Sequence, residues 1–361
     1  MEQLLLGAIL SFAITFYCIP VIIRVAQVKK LYDNPDDFRK LHKTPVPSLG
    51  GLGIFLGVFI SITAFSGIWV STTSFPYYLA TFVIILFLGL KDDILVISPW
   101  KKLMGQIIVA LILTFKADLL LDSMHGFLGF TTLPPILSYS LTLFTVIVII
   151  NAFNLIDGVD GLAGIVGLIA AGAFGFYFFI DGQFSFSLLA ITLCASLFAF
   201  LIFNFQPAKI FMGDGGSMFT GLIIAILSIQ FISSAPFSKV HAIAASPVLG
   251  FGFILLPLMD TLRVFSFRIL NGRSPFSPDR NHIHHLLLDR GMSHRAVAIF
   301  SAFIGVLSIL LSYYLAFKVD CTIGIFVLIV IFYLYVGILY MTRKNQGNNA
   351  LKAVQTEVER T

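Results

Sequence analysis

Asn154-Leu-Ile-Asp157-Gly-Val-Asp160-Gly161 sets two carboxylates, a carboxamide and two glycines between the apolar runs Ile136–Phe153 and Leu162–Ile180. On a helix, the spacing of three stacks Asn154, Asp157 and Asp160 along one face. The glycines allow tight turns or close backbone approach to a ligand. Hydrocarbon tolerates neither bare charge nor irregular backbone, so the segment needs a cation, a ligand or water at a membrane face. Capping of the following helix by Asp160 would explain one acid only.

Three further clusters have chemical potential. Asp92 and Asp93 are adjacent carboxylates after Lys91; they read as a solvated helix end or as a pair that needs a divalent cation. Lys101 and Lys102 behind them read as ordinary basic residues at a membrane face. Phe211-Met-Gly-Asp214-Gly-Gly-Ser217 is a glycine-rich stretch before an apolar run. Such backbone suits phosphate oxygens, which Asp214 would oppose unless it also holds a metal, although a plain turn has the same composition. His282-Ile-His284-His285 follows Asp279 and Arg280. No companion residues have structural-zinc spacing, which leaves phosphate contact or a solvated basic loop. Lys43, in the Pro- and Gly-rich segment Asp33–Gly51, suits a substrate anion or an anionic lipid head group. His125, His241 and His294 stand alone and carry no signal.

Composition defines the elements that must position these groups. The 361 residues are 58% hydrophobic and 11% charged, with mean hydropathy +0.97. Soluble domains carry about a quarter charged residues. The fold class expected is therefore all-α, a polytopic membrane protein with about 11 transmembrane helices. The spans read as 3–24, 49–70, 76–90, 103–121, 136–153, 162–180, 185–203, 216–233, 243–262, 296–316 and 321–341, by helix-length apolar runs. The first is expected to be retained, not cleaved as a signal peptide. Residues 1–342 read as one integral membrane domain and 343–361 as a polar cytoplasmic tail. Cys18, Cys194 and Cys321 share no motif spacing and read as packing residues.

With the N-terminus outside and the C-terminus cytoplasmic, 20 of the 23 Lys and Arg residues lie inside, and only Lys116, Lys239 and Lys318 lie outside. That asymmetry supports the orientation. It also brings every polar cluster to the cytoplasmic face. Five carboxylates there call for a hard divalent cation, Mg²⁺ first and Mn²⁺ next, and the basic and His-rich segments call for phosphates. The implied chemistry is transfer between a soluble pyrophosphate compound and a lipid phosphate, with no nucleic-acid partner.

Together, Asp92-Asp93, Asn154-Leu-Ile-Asp157-Gly-Val-Asp160-Gly-Leu-Ala, Asn204 through Ser217, and His282-Ile-His284-His285 resemble the polyprenyl-phosphate N-acetylhexosamine-1-phosphate transferases. The nearest likeness is to the bacterial undecaprenyl-phosphate GlcNAc-1-phosphate transferase branch. The resemblance runs from about Asp33 to Arg295. It implies a Mg²⁺-dependent enzyme of the bacterial cytoplasmic membrane with its active site on the cytoplasmic face. Undecaprenyl phosphate attacks the β-phosphate of a UDP-N-acetylhexosamine, and UMP leaves. Asp92, Asp93 and Asp157 are then catalytic, and Asp214 and Asp93 meet the metal. Lys43, Asn154, Asp160, Asn204, Phe211, Arg280, His282, His284 and His285 contact substrate, with Phe211 against uracil. The likeness also implies a homodimer as a partner state.

Two departures separate the chain from the phospho-MurNAc-pentapeptide branch, the nearest alternative. That branch has a lysine where Val96 stands here, and an uninterrupted histidine run where Ile283 intervenes. A cation-coupled secondary transporter is the alternative of another class. It would place its acids near mid-membrane and show internal repeats, and neither pattern is visible.

Overall fold

The computed structural model describes residues 1–31, 46–69, 73–95, 97–272 and 281–342. Lys43, Val96, Asp279, Arg280 and the tail 343–361 lie outside the described residues. Thirteen α-helices carry the described chain, with no strand beyond one isolated bridge between Ser123 and Thr132.

Among the described residues, seven helices are long and apolar enough to cross a membrane, or eight with one bent pair counted as a span. They are α1 (Glu2–Lys29), α5 (Pro135–Ile156), α6 (Leu162–Ile180), α7 (Phe184–Asn204), α8 (Gly213–Ser234), α12 (His294–Lys318) and α13 (Cys321–Met341). The bent pair is α9 (Ser246–Phe253) and α10 (Leu255–Leu270), which meet at 83°. The protein is thus an all-helical, multi-pass membrane protein.

Three expected spans differ in detail. Segment 49–70 is a 15-residue helix, α2 (Gly50–Ala64), followed by a short 3₁₀ turn. Segment 103–121 is α4 (Pro99–Phe115), 17 residues that end at Lys116. Segment 243–262 is not one straight helix but the bent pair. Hydropathy alone cannot register that break, because Ile254 is as apolar as its neighbours while its backbone (φ −125°, ψ 19°) is not helical. The third expected span extends further: α3 (Phe75–Leu95) continues past Leu90 and carries Asp92 and Asp93 on its last turn.

Helix α8 is the axis of the bundle. Of its most apolar window, 78% is buried, against 28% for α1, α12 and α13, whose outer faces are apolar. Lipid is as apolar as a leucine surface, so close backbone approach is a main source of helix association here. The start of α8 shows it. A Cβ on Gly51 of α2 would lie 2.1 Å from the Gly216 nitrogen, and one on Gly89 of α3 would lie 2.3 Å from the Gly215 Cα. Three helices therefore meet backbone to backbone where the acidic groups gather.

Candidate active site

The first turn of α8 forms the floor of the site. Asp93 binds it with both oxygens: the Asp214 amide donates to Oδ1 at 2.7 Å and the Gly215 amide to Oδ2 at 3.0 Å. These are amides that a helix N-terminus leaves without helical partners, and the negative carboxylate also suits the positive end of the helix dipole. Gly213 makes the approach possible. Its φ is +71°, and a Cβ there would lie 2.0 Å from the Ser48 carbonyl and 2.8 Å from both Asp93 oxygens.

Asp214 then projects toward α4 and α5. Asn154 Nδ2 donates to Asp214 Oδ1 at 2.8 Å and to Ser217 Oγ at 3.0 Å. The Lys102 ammonium, on the first turns of α4, makes a short ion pair with Asp214 Oδ2. It also donates to Asp92 Oδ2 at 3.2 Å and Asn154 Oδ1 at 3.0 Å. Asp92 is fixed at its other oxygen by the Ile97 amide at 2.7 Å. Four helices thus converge on one lysine nitrogen.

The acids outnumber the cations that reach them among the described residues. Among the described residues, ion pairs reach Asp92 and Asp214 from Lys102, and Asp160 from His294 Nδ1 at 3.3 Å; none reaches Asp93 or Asp157. Asp157 keeps some solvent exposure but is closely hemmed in by protein. That desolvation, followed by the negative charges of Asp214, Asp93 and Asp160, pushes its carboxyl well above the ordinary carboxylate range; a Gly213 amide opposes the shift.

A cavity of about 380 Å³ opens beside this cluster. Asp92, Lys102, Asn154, Asp157 and Gly158 line one side, and Arg268, His282, His284 and His285 line the other. The histidines come from α11 (Ile283–Leu288) and its N-cap His282. His284 presses on the loop, and a Cβ on Gly158 would lie 2.7 Å from its Nε2. Burial, with the neighbouring His285 next, pushes the His284 pKa down to about 3, so its ring is neutral at physiological pH.

The sequence clusters are thus brought together, but not all in one way. Asp92, Asn154, Asp157, His282, His284 and His285 line the cavity, and Asp214 meets it through Lys102. Asp93 is instead occupied by backbone amides. Asp160 is buried against His294, and Asn204 is a strut whose Oδ1 accepts from the Gly161 amide at 2.8 Å while its Nδ2 donates to the Ile210 carbonyl at 2.8 Å. Phe211 is tied at its backbone to Pro47 and Gly50 and does not line the cavity. Lys43 and Arg280 lie outside the described residues. Sequence reasoning passed over Lys102 and His294. A signal for Lys102 existed in Pro99, a residue type suited to a first helical turn, which places this lysine on the turn that faces α3.

A divalent cation fits this donor set. The Lys102 ammonium already stands among oxygens of Asp92, Asp214 and Asn154, the place and charge such a cation would take. Among the described residues, no three His, Cys, Asp or Glu side chains yet converge closely enough to hold one.

These features define an acid-rich site beside a cavity, built at one end of a helical bundle. The glycosyl transferase family 4 model matches residues 75–232, from α3 to near the end of α8. A Bacillus subtilis (strain 168) protein named "Probable undecaprenyl-phosphate N-acetylglucosaminyl 1-phosphate transferase" is 32% identical, over 82% of this chain and 80% of its own. An undecaprenyl-phosphate alpha-N-acetylglucosaminyl 1-phosphate transferase of Haemophilus influenzae is 32% identical over 92% of this chain and 93% of its own. One from Yersinia pestis is 31% identical over 79% and 76%. The chain belongs to glycosyl transferase family 4 and is a transferase.

Proposed function

We propose that the protein transfers GlcNAc-1-phosphate from UDP-GlcNAc to undecaprenyl phosphate and releases UMP. The observation that carries this reading is the convergence of Asp92, Lys102, Asn154 and Asp214 from four helices at the lip of a cavity walled by histidines. The names of the relatives supply the substrate pair. The protein sits with its N-terminus outside, its C-terminus cytoplasmic and 11 crossings, so that this lip faces the cytosol. The distribution of Lys and Arg supports that orientation. The donor arrives from the cytosol and the acceptor from the bilayer, with the bacterial cytoplasmic membrane as the setting.

A phosphate oxygen of the lipid attacks the β-phosphorus of the nucleotide sugar. A new P–O bond forms, the bond between the β-phosphorus and the bridging oxygen breaks, and UMP takes that oxygen. Asp92, at the cavity wall, accepts the proton of a lipid phosphate that arrives singly protonated. Asp214, Asp92 and Asn154 would hold Mg²⁺, which screens the pyrophosphate and improves UMP as a leaving group. Lys102, which stands among the same oxygens, would turn its ammonium to the phosphate oxygens of the substrate. Asp93 keeps the first turn of α8 in position, which replaces its expected role as a metal ligand with a structural one. Asp157, whose carboxyl is raised by burial and its acidic neighbours, would ionise beside a cation.

The test is purified full-length protein with undecaprenyl phosphate, Mg²⁺ and labelled UDP-GlcNAc, UDP-GalNAc and UDP-MurNAc-pentapeptide. Lipid-linked GlcNAc with stoichiometric UMP is the expected result. Product from the pentapeptide alone, or no lipid-linked product beside an active control enzyme, overturns the proposal.

A further inference from the structure

Asp260 is a buried carboxylate that touches none of the site acids. It lies on α10, just past the bend, and is 4% exposed. Oδ2 lies 2.9 Å from His282 Nδ1, and the Ile283 amide donates to both oxygens at 3.2 and 3.3 Å. Arg263 Nη2 donates to Oδ1 at 2.8 Å. The carboxylate thus clamps the residue that opens α11, and Arg263 balances its charge.

This clamp determines how His282 presents itself. An ionised carboxylate only accepts, so His282 Nδ1 must donate to it. In a neutral imidazole whose Nδ1 carries the hydrogen, Nε2 carries none. Nε2 is then a bare acceptor. It is buried, has no partner among the described residues, and belongs to a ring that lines the cavity. A fully ionised phosphate offers no donor to such an atom.

We propose that Asp260 is a positioning residue for the transfer, which locks His282 in the Nδ1–H tautomer so that Nε2 accepts a hydrogen bond from a donor group of the bound substrate. That donor is a hydroxyl or amide N–H of the sugar, or the P–OH of a singly protonated lipid phosphate. The inference rests on the GlcNAc-1-phosphate transfer proposed above.

A double-mutant cycle on the full-length protein tests it. Asp260→Asn keeps size but alters the acceptor pair facing His282 Nδ1 and the Ile283 amide. It should lower kcat/KM about 10- to 100-fold, as loss of a partner that orients a functional histidine does. In a His282→Gln background the same change should cost less than about threefold, because a residue acting through another has no further effect once that partner is gone. A rise confined to the KM for UDP-GlcNAc identifies the sugar as donor, and a rise confined to that for undecaprenyl phosphate identifies the lipid. Equal losses in both backgrounds overturn the proposal. Nitrogen-15 NMR of histidine-labelled wild-type protein, with the His282 signals assigned by subtraction of His282→Gln, tests it without any change at Asp260. A pyrrole-type Nδ1 and a pyridine-type Nε2 are expected; the reverse pattern or an imidazolium refutes it. Failure of the wild type to form lipid-linked product would sink the proposed reaction, while the NMR result would still judge the tautomer.

Discussion

Helix α8 has a polar cluster at each end, about 30 Å apart by helical rise, and the two are built on opposite terms. At the far end, Asp181 accepts from Ser238 Oγ and, at 2.7 Å, from Gln183 Nε2. Gln183 Nε2 also donates to Ser234 Oγ at 2.9 Å, and its Oε1 accepts from Gln230 at 3.1 Å. One carboxylate is satisfied by neutral donors, and the network closes on itself. At the near end, five carboxylates share few cations, and Asp157 is held above its ordinary range by its neighbours. A closed network holds helices together. An excess of one charge at a cavity calls for a partner beyond the cations that the described residues bring to it.

The largest effect expected from this contrast is at Asp214. Asp214→Asn keeps the contact with Asn154 but removes the charge that Lys102 and a divalent cation would share. Turnover should fall about 100- to 1,000-fold, the range for loss of one electrostatic group at a reacting phosphate or acyl centre. The Mg²⁺ concentration for half-maximal activity should rise as well. An unchanged Mg²⁺ titration would remove Asp214 from the cation site.

Lys102→Met comes next. The ammonium competes with a cation for Asp92, Asn154 and Asp214, so its removal should lower the Mg²⁺ concentration for half-maximal activity. Turnover should fall about 10- to 100-fold, because the same ammonium is lost from the phosphates. Opposite movements of the two parameters are the signature. A lysine that serves only as a surface charge would move neither.

The pH dependence of cation binding follows from Asp157. Its carboxyl is raised in the folded protein, so without a cation it retains a proton at pH values where an unfolded chain has lost it. That contribution to stability is complete below the unfolded value and fades as pH rises through the folded one. A bound cation reverses the preference and releases the proton, so Mg²⁺ affinity should rise with pH by up to about tenfold per unit. Mg²⁺-induced gains in Tm at pH 6 and pH 8 measure it. Asp157→Asn should flatten the difference, and an unaltered slope in that variant would assign the linkage to another group.

Much of this organisation was legible in the amino-acid order. Apolar runs announced the helices, since a chain this poor in charge has few other ways to satisfy its backbone in lipid. The acids announced the site, because their placement beside apolar runs is costly without a partner. Lys102 was not legible in the same way: a lysine beside a membrane-length helix is ordinary, and only packing of α4 against α3 and α5 turns it inward, toward Asp214 of α8. Nor was Asp93, whose amide partners lie more than a hundred residues away in sequence. The break between α9 and α10 was hidden because the backbone changes direction without a change in polarity. His294 was overlooked for the reverse reason, a single residue with no pattern around it that meets Asp160 only once α12 folds back.

The smallest effect should come from the closed cluster. Asp181→Asn keeps Oδ1 as an acceptor for Ser238 but turns the other oxygen into an amide NH₂ facing Gln183 Nε2. Two donors then meet, and Gln183 must rotate its amide, which breaks its bonds to Ser234 or Gln230. A bond to a charged group contributes roughly 1.5–3 kcal/mol when intact, and the remaining partial exposure of Asp181 reduces that to about 1 kcal/mol. A drop of a few degrees in Tm in detergent is therefore expected, with turnover per folded molecule within about twofold of wild type. The two ends of α8 are separated by a rigid, buried helix whose packing is unchanged, so nothing transmits the rearrangement to Asp214. A tenfold loss of turnover at full folding would break the distinction between the ends, and would make the far cluster part of the catalytic machinery.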